Sequence, residues 1–136
     1  MNILVIDGQG GGLGKNIISR IKKEEAFSCF EITAVGTNSI ATSAMLKAGA
    51  ACGATGENAV IYNCKNADII LGATGIAFAN SMLGEISPKM ANAVSESPAY
   101  KLLIPISKCN VGIAGVAEKP MLSYIDDLIS NLYKFL

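Results

Sequence analysis

The sequence predicts an α/β protein, a three-layer Rossmann-like domain on a mostly parallel sheet of five or six strands. Two patterns carry that expectation. Short apolar runs alternate with stretches of helical period, and a glycine-rich turn joins the first run to the first helical stripe. Of the 136 residues 51% are apolar and only 16% charged, which is core enough for one domain over residues 1–136.

The first run, Asn2-Ile3-Leu4-Val5-Ile6, is apolar without alternation, as a parallel strand covered on both faces must be. The stretch from Asp7 to Lys15 follows, holding Gly8, Gly10, Gly11, Gly12 and Gly14. Leu13, Ile17, Ile18 and Ile21 then recur at helical spacing and predict a helix over 13–26. Glycine lets a backbone come close to a ligand. A helix that starts at such a turn adds unpaired N–H groups and the positive end of its dipole. Together these make an anion site, with phosphate its usual occupant. Gly8, Gln9, Gly10, Gly11, Gly12, Leu13 and Gly14 are therefore candidate contacts for a small phosphorylated ligand.

Counted as Gly8, Gly12 and Gly14, the loop resembles that of short-chain dehydrogenases and reductases. The resemblance implies NAD(P), or another nucleotide, as the candidate cofactor. That family commonly places a threonine before the first glycine, where Asp7 stands here. The dinucleotide pattern G-x-G-x-x-G fails at Leu13. A phosphate-binding P-loop fails twice, with Gln9 where its first glycine belongs and Asn16 where its serine or threonine belongs. The Tyr-x-x-x-Lys pair of short-chain reductases is missing too: Tyr62, Tyr100 and Tyr124 are followed at that spacing by Asn66, Ile104 and Leu128.

The second strand, Ile32 to Gly36, ends in Thr37-Asn38. In dinucleotide folds an acid at this end takes ribose hydroxyls, and a nearby arginine takes a 2′-phosphate. Neither stands here. Thr37 is kept as a candidate contact, while Asn38 or Ser39 is expected to cap the next helix, 40–48, which Gly49 stops. Ala50 to Ala54 is a short third strand, and Thr55 is the expected N-cap of a helix through Asn63. Asp68 to Gly72 is the fourth strand.

In an open parallel sheet the ligand crevice lies outside the carboxyl ends of strands, where the strand order reverses. The Gly8–Gly14 turn and Thr74-Gly75 should face each other there, with Asn80 close behind. Glu85, ahead of Ser87-Pro88, reads as a solvated loop residue rather than an acid or base. Ser87 and Pro88 are an N-cap and first helical residue, opening a helix to about Ser95. Lys101 to Ile106 is the fifth strand, where Pro105 marks an edge or the end of pairing. Lys108, just beyond it, is the basic candidate for the site. Val111 to Val116 is expected as a sixth strand, and the stripe Met121, Leu122, Ile125, Leu128, Ile129, Leu132 as a closing helix.

Composition narrows the function classes. With 11 basic and 11 acidic residues, and no basic run longer than Lys22-Lys23, there is no footprint for nucleic acid. The longest charge-free run, Ile69 to Gly84, falls short of the ~20 residues of a membrane span. No signal peptide is expected, because Asp7 interrupts a short apolar start. Cys29, Cys52, Cys64 and Cys109 form no C-x-x-C pair, so buried free thiols in a reduced cytoplasm are expected, and no metal site. The absence of histidine removes Ser-His-Asp and Cys-His catalysis. A receiver-domain reading of Asp7, Thr74 and Lys108 fails, since the third strand supplies no aspartate to phosphorylate.

Four stretches together resemble a known family: Asp7 to Gly12, Gly53-Ala54-Thr55-Gly56-Glu57-Asn58, Ile76 to Ile86, and Leu103-Ile104-Pro105-Ile106. They are similar to small bacterial proteins, largely of anaerobic Firmicutes, known only as a domain of unknown function. The resemblance implies a Rossmann-like fold and a cytoplasmic protein, and assigns no activity. The residues themselves favour binding of a nucleotide or other phosphorylated ligand. Two alternatives stand beside it: a small NAD(P)-dependent oxidoreductase acting as a homo-oligomer, and a non-catalytic ligand sensor or protein-interaction module.

Overall fold

A computed structural model describes residues 1–106 and 110–136, so Lys108 and Cys109 lie outside the described residues. Five strands form one sheet: β1 (Asn2–Asp7), β2 (Glu31–Gly36), β3 (Cys52–Thr55), β4 (Ile69–Ala73) and β5 (Tyr100–Ile104). All neighbours pair in parallel, in the order β3-β2-β1-β4-β5. The helices are α1 (Gly12–Lys22), α2 (Ser39–Lys47), α3 (Glu57–Cys64), α4 (Pro88–Glu96) and α5 (Met121–Leu132). This is the expected α/β, Rossmann-like architecture.

The layers follow from strand periodicity. Ile3 and Val5 of β1 pack with Ile17 and Ile18 of α1, Met45 of α2 and Ile125 and Leu128 of α5. Leu4 and Ile6 point to the other face and pack with Val60 of α3 and Met90 and Val94 of α4. The chain winds outward from β1 through β2 to β3, then returns across β1 to begin again at β4. Right-handed crossovers therefore put α1 and α2 on one face and α3 and α4 on the other. The order reverses between β1 and β4, which places a crevice at their carboxyl ends.

Four expectations need correction. The sixth strand does not form: residues 111–116 carry no strand, and Gly115 turns the chain at φ 85°. The Val116 amide donates to the Ile113 carbonyl at 3.3 Å, so the segment closes a turn on itself instead of extending. Just past it the Tyr124 hydroxyl donates to the Ala117 carbonyl at 2.7 Å and accepts from the Lys119 amide at 3.1 Å, which fastens residues 117–119 to α5. Thr55 does not cap α3. Gly56 holds that position, while Thr55 ends β3 and shares a 2.7 Å hydrogen bond with the Thr42 hydroxyl. The first helix stops at Lys22, and a 3-10 turn over Glu25–Phe27 drives the Phe27 ring into the core. Of the cysteines, only Cys64 is buried among the described ones; Cys29 and Cys52 are exposed. Two caps are as expected. Asn38 accepts from the Ala41 amide at the start of α2, and Ser87 from the Met90 amide at the start of α4.

Candidate functional site

A cleft of about 250 Å³ opens at the point where the strand order reverses. Its floor is the backbone from Asp7 to Leu13, and Ala73, Gly75, Met82, Ile106 and Met121 form its walls. The expected meeting of the first glycine turn with the loop after β4 is therefore made, through Gly75. β1, the central strand, delivers Asp7 to the carboxyl end of the sheet, α1 begins at Gly12, and α5 brings Met121 across from the far end of the chain.

The glycines of the turn divide by what surrounds them. Gly11 sits at φ 74°, and a Cβ built on it would lie 2.8 Å from the Ala41 Cα. Only glycine fits there. On Gly14 the Cβ would meet Met45 Sδ at 2.5 Å and Asp7 Cβ at 3.0 Å, which is close packing of α1 against its neighbours. A Cβ on Gly8 would meet Thr37 Oγ1 at 2.8 Å and Met82 Sδ at 2.9 Å. Gly10 and Gly12 differ: neither has φ in the left-handed region, and a Cβ on either would meet nothing within 4 Å. Both are exposed and both line the cleft.

Two carboxylates take the Gly8, Gln9 and Gly14 amides of the turn. Buried Asp7 accepts from the Gly8 amide at 2.8 Å and the Gly14 amide at 2.7 Å. Burial pushes its pKa above the ordinary aspartate value; the Gly14 and Gly8 amides pull it down, and the Glu85 charge pushes it up again. Glu85 accepts from the Gln9 amide at 3.0 Å, the Thr37 hydroxyl at 2.7 Å and the Asn38 side-chain amide at 2.7 Å. Partial burial pushes its pKa up, but the bonds from Thr37, Gln9 and Asn38 outweigh that and hold it below the ordinary glutamate value. The reading of Glu85 as a solvated loop residue is thus corrected. It is a clamp between the loop after β4 and the carboxyl end of β2.

The loop that carries Glu85 is a compact strap over residues 78–86. The Asn80 amide donates to the Ile86 carbonyl at 2.7 Å, and the Ser81 hydroxyl donates to the Gly75 carbonyl. Asn80, Met82, Leu83 and Gly84 all take positive φ, and buried Ile86 anchors the far end. The strap sets Met82 into the cleft wall and leaves Leu83 98% exposed.

The candidates from sequence therefore separate. Gly8, Gln9, Gly10, Gly11, Gly12, Leu13 and Gly75 line the cleft. Gly14 is packed beneath it, and Thr37 is spent on Glu85. Thr74 is buried and turned to the Ile106 carbonyl at 3.5 Å, and Asn80 is exposed on the strap. Sequence reasoning missed Met82, Ile106 and Met121. Among the described residues the cleft has no basic side chain in its lining, and no group of His, Cys, Asp or Glu is placed to hold a metal ion. Nor, among them, is any helix long and apolar enough to cross a membrane.

A family model described as Domain of unknown function (DUF3842) matches residues 2–136. The chain belongs to that family. No curated protein and no solved structure matches it significantly. The DUF3842 match thus covers the glycine turn, the strap and α5, every element that builds the cleft.

Proposed function

We propose that the protein binds a small phosphorylated ligand, a nucleotide among the candidates, in the cleft between the glycine turn and Met82, Ile106 and Met121. One observation carries this reading. Gly10 and Gly12 are glycines that the fold does not require, since a side chain at either would meet open space. Glycine at such a place keeps a backbone approachable, and these two stand where α1 begins. No group among the described residues accepts a hydrogen bond from either amide. A phosphate on the two amides would leave the rest of the ligand against the apolar side chains of Met82, Ile106 and Met121.

Substitution of Gly12 by valine tests this. The variant should unfold within about 0.5 kcal/mol of the wild type, because the added side chain has room. A thermal-shift screen against nucleoside phosphates, flavin and nicotinamide nucleotides and sugar phosphates should give a hit with wild type alone. A ligand at ~100 times its dissociation constant adds roughly 2.7 kcal/mol. An equal shift in both proteins, or a flat screen, overturns the site.

The sensor alternative has one observation of its own. Met82 in the cleft wall and Leu83 at the surface are consecutive on the strap, so an occupant that moves Met82 also moves an exposed leucine. Chemical shifts at Leu83 that follow ligand titration would support it, and a Leu83 signal blind to occupancy would remove it. Among the described residues nothing in the lining supplies the proton-transfer pair of a short-chain reductase, so we assign no hydride step.

A further inference from the structure

We infer that Glu85 is a specificity-determining residue: by filling the end of β2 from within the chain, it restricts the site to a single phosphate monoester with a compact body, the size of a nucleoside monophosphate, and bars a dinucleotide. The inference rests on the phosphate-site reading above. In doubly wound dinucleotide sites one nucleoside lies beside the first turn, with its ribose hydroxyls held at the carboxyl end of the second strand. Here the polar groups at that end are already used. Thr37 Oγ1 and Asn38 Nδ2 each donate to Glu85 Oε1 at 2.7 Å, and the Gln9 amide donates to both Glu85 oxygens at 3.0 and 3.1 Å.

Crowding points the same way. The space over Gly8 is taken by Thr37 Oγ1, Met82 Sδ and Glu85 Oε1, at 2.8, 2.9 and 3.4 Å from a Cβ built there. On the Cβ side Gly8 is closed, while Gly10 and Gly12 are open. Donor supply agrees: the Gly8 and Gly14 amides serve Asp7, the Gln9 amide serves Glu85, and the Gly11 amide serves the Gly8 carbonyl. The Gly10 and Gly12 amides suffice for one phosphate. A second would bring its charge toward the Asp7 and Glu85 carboxylates, with no basic side chain among the described lining residues to offset it. The cleft, at about 250 Å³, also lies below the ~300–1,000 Å³ of most small-molecule sites.

The test is a titration of the protein with AMP and with NAD, followed by NMR at the Gly10 and Gly12 amides. In wild type AMP should shift both signals, and NAD should bind weaker by about tenfold or more. Glu85→Ala takes away one of the two carboxylates that repel a second phosphate and clears the space Glu85 fills beside Gly8, so the preference for AMP should fall by about tenfold. Glu85→Gln, of the same size and still able to accept from both, removes the charge and keeps the space filled, so its preference for AMP should fall by less than that of Glu85→Ala. Where Glu85→Ala loses its folded spectrum, Glu85→Ser takes its place. NAD binding to wild type as tightly as AMP overturns the inference and leaves the phosphate site standing, as does an unchanged preference in the shortened variant. If neither nucleotide shifts the two amides in any of these proteins, the phosphate site falls and the inference with it.

Discussion

The glycine turn and the strap face each other across one cleft, and both put backbone into the left-handed region by different means. The turn uses glycine where it has no alternative: Gly11 at φ 74° lies against the Ala41 backbone. The strap uses Asn80, Met82 and Leu83 at φ 65°, 56° and 57°, with glycine only at Gly84. A left-handed residue with a side chain costs about 1–2 kcal/mol, so the strap carries that strain at three positions and the turn at one, Gln9 at φ 51°. The strap is held by what it touches: Ser81 on Gly75, Glu85 on β2 and Ile86 in the core. The turn is shaped mainly by glycine and by bonds to the neighbouring Asp7, and the strap by anchors elsewhere in the chain. Changes in the turn should therefore act locally and steeply, and changes in the strap through the loss of contacts elsewhere.

The largest expected effect is in the turn. Gly11→Ala should destabilise by about 3 kcal/mol, from the left-handed penalty together with overpacking against Ala41. Such a loss lowers the melting temperature by roughly 10 °C in a domain of this size, measurable by thermal unfolding. Gly12→Val, one residue on, should leave the melting temperature alone. The two glycines would then be separated by experiment, one serving the chain and the other open to a ligand. Equal losses at both would mean that the whole turn is structural.

The same contrast sets what could be read from sequence. The apolar runs of β1 and β4 were legible because a strand buried on both faces has no alternation to blur it. The glycine turn was legible because strand, turn and helix are contiguous. Glu85 was not, since its partners Thr37 and Gln9 lie 48 and 76 residues away. A signal existed: a lone acid in an otherwise neutral loop, and two uncharged hydrogen-bonding residues at the end of β2. Met82 and Met121 were missed because an isolated methionine reads as core. The segment after Pro105 misled because Val111 to Val116 has the composition of a strand. Gly115 was the signal against it: at φ 85° it turns the chain, and the Val116 amide bonds the Ile113 carbonyl.

Next in size is the clamp. Glu85→Ala should cost about 2 kcal/mol, since charge-assisted bonds from three groups are lost and partial exposure lets water replace some of them. The pH dependence has a definite sign. The Glu85 pKa is lowered in the folded protein, so its contribution is full above the ordinary glutamate value of about 4.3 and is lost as pH falls through the lower folded value. The gap between wild type and variant should thus close in acid. Asp7 works against this, because its raised pKa owes part of its rise to the Glu85 charge. Removing Glu85 relieves Asp7, so the gap near neutrality should be smaller than the three bonds alone imply. A gap that persists at acid pH would show that packing rather than charge holds the strap.

The smallest expected effect is at the tip of the strap, and it runs in the opposite direction. Leu83 is 98% exposed at φ 57°, so its side chain contributes little packing to set against the strain. Leu83→Gly should therefore stabilise by up to about 1 kcal/mol, the left-handed penalty removed less the greater freedom glycine has in the unfolded chain. Denaturant unfolding resolves a difference of that size when the m-value is unchanged. The same replacement at Gly11 in reverse destabilises, so opposite signs at Gly11 and Leu83 would show that the left-handed backbone contributes at both positions, with the Ala41 contact adding to it at Gly11. A loss at Leu83→Gly would mean that the leucine is covered in solution. A concentration-dependent melting temperature for wild type, absent in the variant, would then identify a second copy of the chain as the cover.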